Sequence, residues 1–505
     1  MIELVHIPEP SLLFRHGQAT LDPRDGLTLF GPLEDPAIGR IQWAAVGPRS
    51  CIDRMKKWVK RVQGPVYGPP GATARPLFPG FESVFRTVWD PNPVLELEIP
   101  ADEISHRVHN ADKHQRVFQT ADLYVEKILQ AKMDEDITPT IWCVLIPEEV
   151  YSYCRPQSQI PTGEKVQPAN RLSKMDLRKS VTEQFLFEDM KELAQEYTYE
   201  ANFRHQLKAR LLPHLVPIQI IREIKIAEAD LVSASGKPLC PDSTLESAIA
   251  WNLATAVYYK SGGRPWKLGA ARDGVCYIGM VFKQMEREAD TRTACCAAQM
   301  FMDSGDGVVF RGAVGPWFHE KRGDFHLDKK SAKEIVSMCI EAYRKQNGKS
   351  PKELFLHGQI SLRDEEWSGF MEGAGSETKV VGVQIRPSAA IKLFRPGDHP
   401  VLRGTAYLVN EKSGFLWTKG MVPRLRTYPG REVPKPIFIQ ICRGDSDIRT
   451  VMADVLALTK LNYNSCTFAD GVPVTLKFAD AVGEILTAGP FAKDSGHPLP
   501  FKYYI

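Results

Sequence analysis

The 505-residue sequence predicts an α/β protein, and three stretches carry that prediction. Between residues 115 and 263, helical apolar spacing alternates with short apolar runs, the pattern of a small parallel sheet joined by crossover helices. After residue 264 come apolar runs paired around turn signals and then further helices and strands, which fits a mixed sheet crossed by helices. Before residue 108, Pro and Gly punctuation (GPLEDP, VQGPVYGPPGATARP, VWDPNP) predicts short strands and turns rather than long helices. The expected division is therefore 1–108, 109–263 and 264–505.

Each element follows from its local pattern. Residues 109–134 place apolar side chains at helical spacing, and IWCVLIP (141–147) is a compact buried strand. Residues 170–210 are charged and mostly helical in pattern, ending in the amphipathic run that begins YTYEANFRHQLKAR. VPIQIIRE (216–223) is a second strand, and LESAIAWNLATAVYYKSGG is a helix that Gly262 and Gly263 terminate. Further on, GVCYIGMVFKQ, TACCAAQMFMDSGDGVVFRG and GPWF read as adjacent strands, with SGDG as a turn. SAKEIVSMCIEAYRKQNGK is an amphipathic helix. ELFLHGQ, VVGVQIR, AAIKLF, VLRGTAYLVN and GFLWTKG are further strands, and DIRTVMADVLALTKLNY is another helix.

Composition narrows the class. Apolar residues make up 43% and charged residues 25% of the chain, which fits a globular protein and excludes a disordered one. With 64 basic and 61 acidic residues the formal charge is +3, so a polyanion partner must be met by local clustering. Ten dispersed cysteines form no disulfide framework, and the adjacent Cys295 and Cys296 have no second pair at zinc spacing. The start MIELVHIPEPSLLF lacks the basic and apolar regions of a secretory signal, and no segment reaches the roughly 18 apolar residues that span a bilayer. These features predict a cytoplasmic protein without a membrane partner.

Candidate chemistry begins at the end of the amphipathic run. Arg204 and Lys208 are four apart and share a helix face, with Arg210 close by. Gln219 lies on the next strand, and Lys260 ends the following helix. Such cations and an amide suit a terminal phosphate, which rewards several donors. Spacing alone equally fits ordinary solvated side chains. His319 and His326, in PWFHEKRGDFHL, are expected on a loop surface.

Four blocks together resemble the short prokaryotic Argonaute proteins: EPSLLFRHGQATLDPRDGLTLFGPL, HQLKARLLPHLVPIQIIRE, YYKSGGRPWKL and LTKLNYNSCTFADGVPVTLKFADAVGEIL with the ending FKYYI. The likeness is greatest to the subgroup that works with a TIR-domain partner. It implies a strand- and turn-rich N-terminal region, a Rossmann-like MID domain and an RNase-H-like PIWI domain, with no room for a PAZ domain. By this resemblance Arg204, Lys208, Gln219 and Lys260 hold the 5′ phosphate of a guide. The carboxylate of Ile505, with Gln219, is implied to hold Mg²⁺ beside that phosphate, and the aromatic residues of FKYYI would keep it inside.

The resemblance also implies a lost activity. Cleaving relatives gather carboxylates around two metal ions. Val281 stands where their first aspartate would be, and an isopropyl group ligates no metal. His357, Gly358 and Gln359 occupy the place of the third acid, no glutamate is evident around FRGAVGPWF, and Asp480 alone matches the last position. The implied role is a catalytically inactive subunit that binds a 5′-phosphorylated guide RNA and recognises complementary single-stranded DNA of invading elements. It would then activate a TIR–APAZ partner that hydrolyses NAD⁺, through a higher oligomer of the heterodimer, in prokaryotic immunity; this chain itself would bind no NAD. Three alternatives stay open: a different APAZ effector, sirtuin-like or nuclease; a guide-directed nuclease using Asp480 with Asp303, Asp306 or Asp364; or a structural adaptor that uses an Argonaute-like shape without a guide.

Overall fold

Four parallel strands, the central two buried on both faces, form the first sheet. In this computed structural model the described residues are all but 1–2, 38, 135–137, 169, 171–192, 229–230, 233–235, 240–242, 270–271, 285–293, 303–306, 316–317, 320–323, 429, 431 and 491–498. Only the backbone is described at 281, 284, 294–297, 307, 310–315 and 318–319. The chain runs through β1 (Glu3–His6), α1 (Pro23–Phe30), β2 (Trp43–Gly47), α2 (Arg49–Arg61), β3 (Leu95–Glu98), α3 (Lys113–Asp134), β4 (Ile141–Ile146), α4 (Phe203–Leu211), β5 (Ile218–Arg222) and α5 (Glu246–Lys260). Strands β3, β2, β4 and β5 lie side by side in that order, all parallel, with Trp43 opposite Ile141 and Cys143 opposite Gln219. Every residue of β2 and β4 is buried, as parallel strands covered by helices on both sides require.

Two of these four strands precede residue 109, so the expected boundary at 108/109 falls between strands of one sheet. The stretch expected to hold only strands and turns also contains α2, which is 13 residues long. Its buried residues Cys51, Ile52, Met55 and Val59 line one face, and basic residues fill much of the rest. The flanking Pro and Gly clusters masked this period in the sequence.

The second sheet has ten strands. Its elements are β6 (Val275–Gln284), β7 (Ala294–Met302), β8 (Gly307–Gly315), α6 (Lys329–Asn347), β9 (Glu353–Gly358), α7 (Asp364–Ala374), β10 (Lys379–Pro387), β11 (Thr405–Asn410), β12 (Ser413–Leu416), β13 (Ile437–Arg443), α8 (Ile448–Leu458), α9 (Val474–Leu486) and β14 (Leu499–Pro500). The order is β1-β11-β12-β13-β10-β9-β6-β7-β8-β14, with β6, β9 and β10 parallel to one another. Alternation along β6 sends Cys276, Ile278 and Met280 to the core under α6 and α7, and Val275 and Tyr277 to the core shared with α8 and α9. Helix α9 lies so close to β6 that a Cβ at Gly279 would meet the Thr475 carbonyl at 1.8 Å, so no side chain fits there. Among the described residues no helix is long and apolar enough to cross a membrane, and seven cysteines are free thiols.

AAIKLF, expected as a strand, lies instead in the loop 388–404. Pro387 ends β10, and Pro396 and Pro400 remove further ladder donors. Helices α7 and α9 and strand β13 are additions that the sequence reading did not anticipate.

A buried ionic triad ties the start of the chain to the second sheet. Glu9 accepts from Arg403 Nε at 2.9 Å and from Lys460 Nζ at 2.9 Å, and both cations are buried. Lys460 also donates to the Pro10 and Leu21 carbonyls at 3.1 and 2.6 Å, while Arg403 donates to Thr459 Oγ1 at 2.7 Å. Removing the shared acid leaves two uncompensated buried charges. Glu9→Gln is therefore expected to lower stability by about 3 kcal/mol, read as a shift of the urea unfolding midpoint with unchanged slope.

Candidate anion-binding site

Local packing aims the candidate cations at one another. Asn202 caps α4 by accepting from the His205 amide, and buried Phe203, Leu207 and Leu211 fix that helix in the core it shares with α3. Arg204 and Lys208 are then neighbours on one face, with Arg204 reaching solvent and Lys208 buried. Lys260 is the last residue of α5 and is 1% exposed. Its Nζ donates to Gln219 Oε1 at 2.8 Å and to the Ile218 carbonyl at 3.1 Å. Gln219 Nε2 in turn donates to the Ile220 carbonyl at 3.1 Å.

The end of the chain closes the site. Phe501 packs against Phe478 and Phe301 with ring centroids 4.6 and 6.0 Å apart, and Tyr504 and Ile505 are buried. Lys208 Nζ donates to the Tyr504 carbonyl at 2.9 Å. Arg210 does not join: it pairs with Asp122 and lies over the Phe118 ring.

The partners of the two lysines are carbonyl and amide oxygens. Among the described residues neither has a carboxylate within ion-pair distance. Burial pushes Lys208 well below its ordinary value, and repulsion from Lys260 and Arg204 adds to the drop. Burial, then Arg204, pushes Lys260 from 10.5 down to about 7, with a small opposing contribution from Cys143. At ~1.4 kcal/mol per unit, holding Lys260 charged costs about 5 kcal/mol. An anion with several acceptor oxygens would relieve that cost, so the arrangement suits an anion.

A second cluster lies beside it on α9 and β6. Glu484 accepts from Lys283 Nζ at 3.3 Å and faces His205 Nε2 at 3.3 Å, and it is the acid that acts on Arg204. Asp480 is pushed above its ordinary range by burial, opposed by Lys283 and reinforced by Glu484. Position 281 pairs with Ala297 across the sheet. His357 is wholly buried, bonds Thr475 Oγ1 through Nδ1 at 3.0 Å, and is driven down to about 3 by burial. Gln359 is exposed, with its carbonyl accepting from Gln384 at 3.1 Å. Sequence reading missed Lys283, although it was visible as a charged residue two positions beyond Val281 on the same strand.

The other candidates separate from this region. Asp364, at the start of α7, is exposed and pairs with Arg443; Asp303 and Asp306 lie outside the described residues. His326, expected on a loop surface, is buried instead: Nδ1 meets Glu366 Oε1 at 2.9 Å and Nε2 meets Asp324 Oδ2 at 3.1 Å. Those two acids hold its pKa above the ordinary value against the effect of burial. The side chain of His319 is outside the described set. Among the described residues, no group of three or more His, Cys, Asp or Glu is placed to hold a metal.

No family model matches the sequence. The chain is similar to the Aquifex aeolicus protein argonaute, 22% identical over 287 residues that cover 56% of this chain and 36% of that one. The whole backbone superposes on the Clostridium butyricum Argonaute, solved with a guide DNA and a 19-mer target DNA, with a TM-score of 0.63 at 14% identity. Drosophila Piwi matches 99% of the chain with a TM-score of 0.60 at 13% identity. The chain has the Argonaute–Piwi fold. It spans 55–56% of the length of those two solved chains and corresponds to their MID–PIWI-like region.

In this Argonaute-like fold the lysine shifts set a pH dependence. A lowered lysine pKa means that the empty site loses charge as pH rises through about 7, whereas a phosphate monoester completes its second ionisation near pH 6. Affinity for a 5′-phosphorylated oligonucleotide should therefore peak near neutrality and fall above it, with proton uptake on binding. Calorimetry in buffers of different ionisation enthalpy measures both. The unliganded protein should gain stability from Lys260 between pH 7 and 10, because there the unfolded chain binds more protons.

Proposed function

We propose that this chain is a guide-binding subunit that holds the 5′ phosphate of a short RNA and presents its bases to complementary single-stranded DNA. The observation that carries this reading is the pair of buried lysines, Lys208 and Lys260, set beside Arg204 with carbonyl and amide oxygens rather than side-chain carboxylates as their partners among the described residues. A terminal phosphate offers the charge and the acceptor oxygens that these donors lack. Sequence specificity is then delegated to base pairing, and the protein needs to recognise only phosphates, sugars and helix shape.

A divalent cation fits the same site once phosphate has offset the three positive charges. The Gln219 amide oxygen and a terminal carboxylate at Ile505 are hard oxygen donors of the kind Mg²⁺ takes. The ion would neutralise repulsion between that carboxylate and the phosphate. Lys208 and Lys260 orient the phosphate, and Gln219 sets the position of Lys260.

The chain is proposed to be non-catalytic, with its output in a partner. Lys283 places an ammonium beside the pair Asp480 and Glu484, where a cleaving enzyme would need metal. Pairing with target would then change how the chain holds a TIR–APAZ protein, assemble a higher oligomer in the cytoplasm and switch on NAD⁺ hydrolysis in that partner. This coupling rests on the sequence resemblance. A sirtuin-like or nuclease APAZ effector would use the same sensor.

The test is NAD⁺ consumption by the chain co-expressed with a TIR–APAZ protein, given phosphorylated guide RNA and complementary DNA. Consumption should require both strands and fall at least tenfold in Lys208→Ala, whose guide loading weakens across all sequences. Metal-dependent cleavage of labelled target that disappears in Asp480→Asn would sink the non-catalytic reading. Guide and target binding without NAD⁺ loss would assign a different effector.

A further inference from the structure

Phe394 stands 73% exposed on the loop 388–404, and it is the one phenylalanine among the described residues classed with the exposed large apolar side chains. Its neighbours Lys392 and Arg395 also face solvent, and neither has an ion pair among the described residues. Ile391 and Leu393 are half-buried, so the segment alternates tethering apolar residues with an outward cation and an outward ring. The acid in this loop is Asp398, also exposed, and Arg386 at its base stacks over the Phe438 ring. An exposed ring between unpaired cations matches one chemistry closely: base stacking with phosphate neutralisation on each side.

The loop's position supports that occupant. Strands β6, β9 and β10 are parallel, with Gly279, His357 and Val383 at one level. Pro387, where the loop departs, is four residues beyond Val383, and Lys283 is four beyond Gly279. The two therefore leave the same end of the sheet, on strands that flank β9. That end also receives Glu484 from α9, which connects Lys283 to Arg204 of the anion site. A guide held by its phosphate at Arg204 and continuing past Glu484 and Lys283 would bring the target paired with it to the end of the sheet from which this loop departs.

We propose that Phe394 stacks on a base of the target strand paired with the guide, while Lys392 and Arg395 hold the flanking phosphates. This deepens the guide-binding reading and rests on it for the strand's path. A protein partner is the less suitable occupant, because an apolar contact would leave both cations beside a desolvated ring.

The experiment moves a single 2-aminopurine along the target DNA and measures its fluorescence and affinity with guide-loaded protein, comparing the wild type, Phe394→Ala, Phe394→Tyr and Lys392→Ala/Arg395→Ala. Quenching at one or two positions should vanish in Phe394→Ala and persist in Phe394→Tyr. Target affinity should drop about tenfold in Phe394→Ala with guide affinity unchanged. The double variant should lower the salt slope of target binding by about two. Because Phe394 is exposed, its removal leaves folding intact, checked by the thermal midpoint. Quenching that ignores Phe394 at every position overturns the proposal, as does loss of a protein partner with target binding unaltered. If the wild type loads no guide, the guide-binding reading fails, and the same oligonucleotides without guide still show whether Phe394 stacks.

Discussion

Two buried ammonium groups, neither with a side-chain carboxylate within ion-pair distance among the described residues, held beside a guanidinium are the constraint around which this molecule is organised. Folding alone does not favour such an arrangement, since the three charges repel one another and both ammonium groups have lost water. It persists because separate elements enforce it: α4 brings Lys208, α5 brings Lys260, β5 brings Gln219, and the buried tail brings the Tyr504 carbonyl. Three of these belong to the four-stranded sheet and the fourth follows the last strand of the ten-stranded one. The candidate site is therefore a product of how the two sheets meet, and an anion bound there would stabilise their junction by mass action.

Glu484 extends that junction. It sits between His205 of α4 and Lys283 of β6, one turn along α9 from Asp480. Charge at the anion site can thus be felt at the end of the second sheet through contacts a few ångströms long rather than through a distant pathway. Lys283 fits the same logic, because a fixed ammonium balances Asp480 and Glu484. The buried His357 contributes no charge near neutrality, its imidazole being driven down to about 3.

Much of the secondary structure was legible because its cause is local. The buried strand IWCVLI, the helix ending at Lys260 and the strand 275–284 all announce themselves by period and by their terminators. AAIKLF misled for an equally physical reason. Its alternation is real, with Ile391 and Leu393 turned inward, but an alternating segment becomes a strand only beside a partner, and the prolines around it deny it one. His326 misled in the opposite sense: a charged turn in sequence says nothing about Glu366, forty residues away, which buries it.

The sequence by itself determined the α/β class, the order of most elements and the residue types able to hold a phosphate, since propensity, spacing and side-chain chemistry are properties of neighbours along the chain. Only the tertiary structure decided that β2 and β3 belong to the same sheet as β4, that Arg210 leaves the cluster for Asp122, and that Lys208 and Lys260 face each other without an acid. Those facts depend on contacts between residues far apart in the chain. Burial, which sets both the charge and the affinity of the site, is created by those contacts and has no counterpart in local sequence.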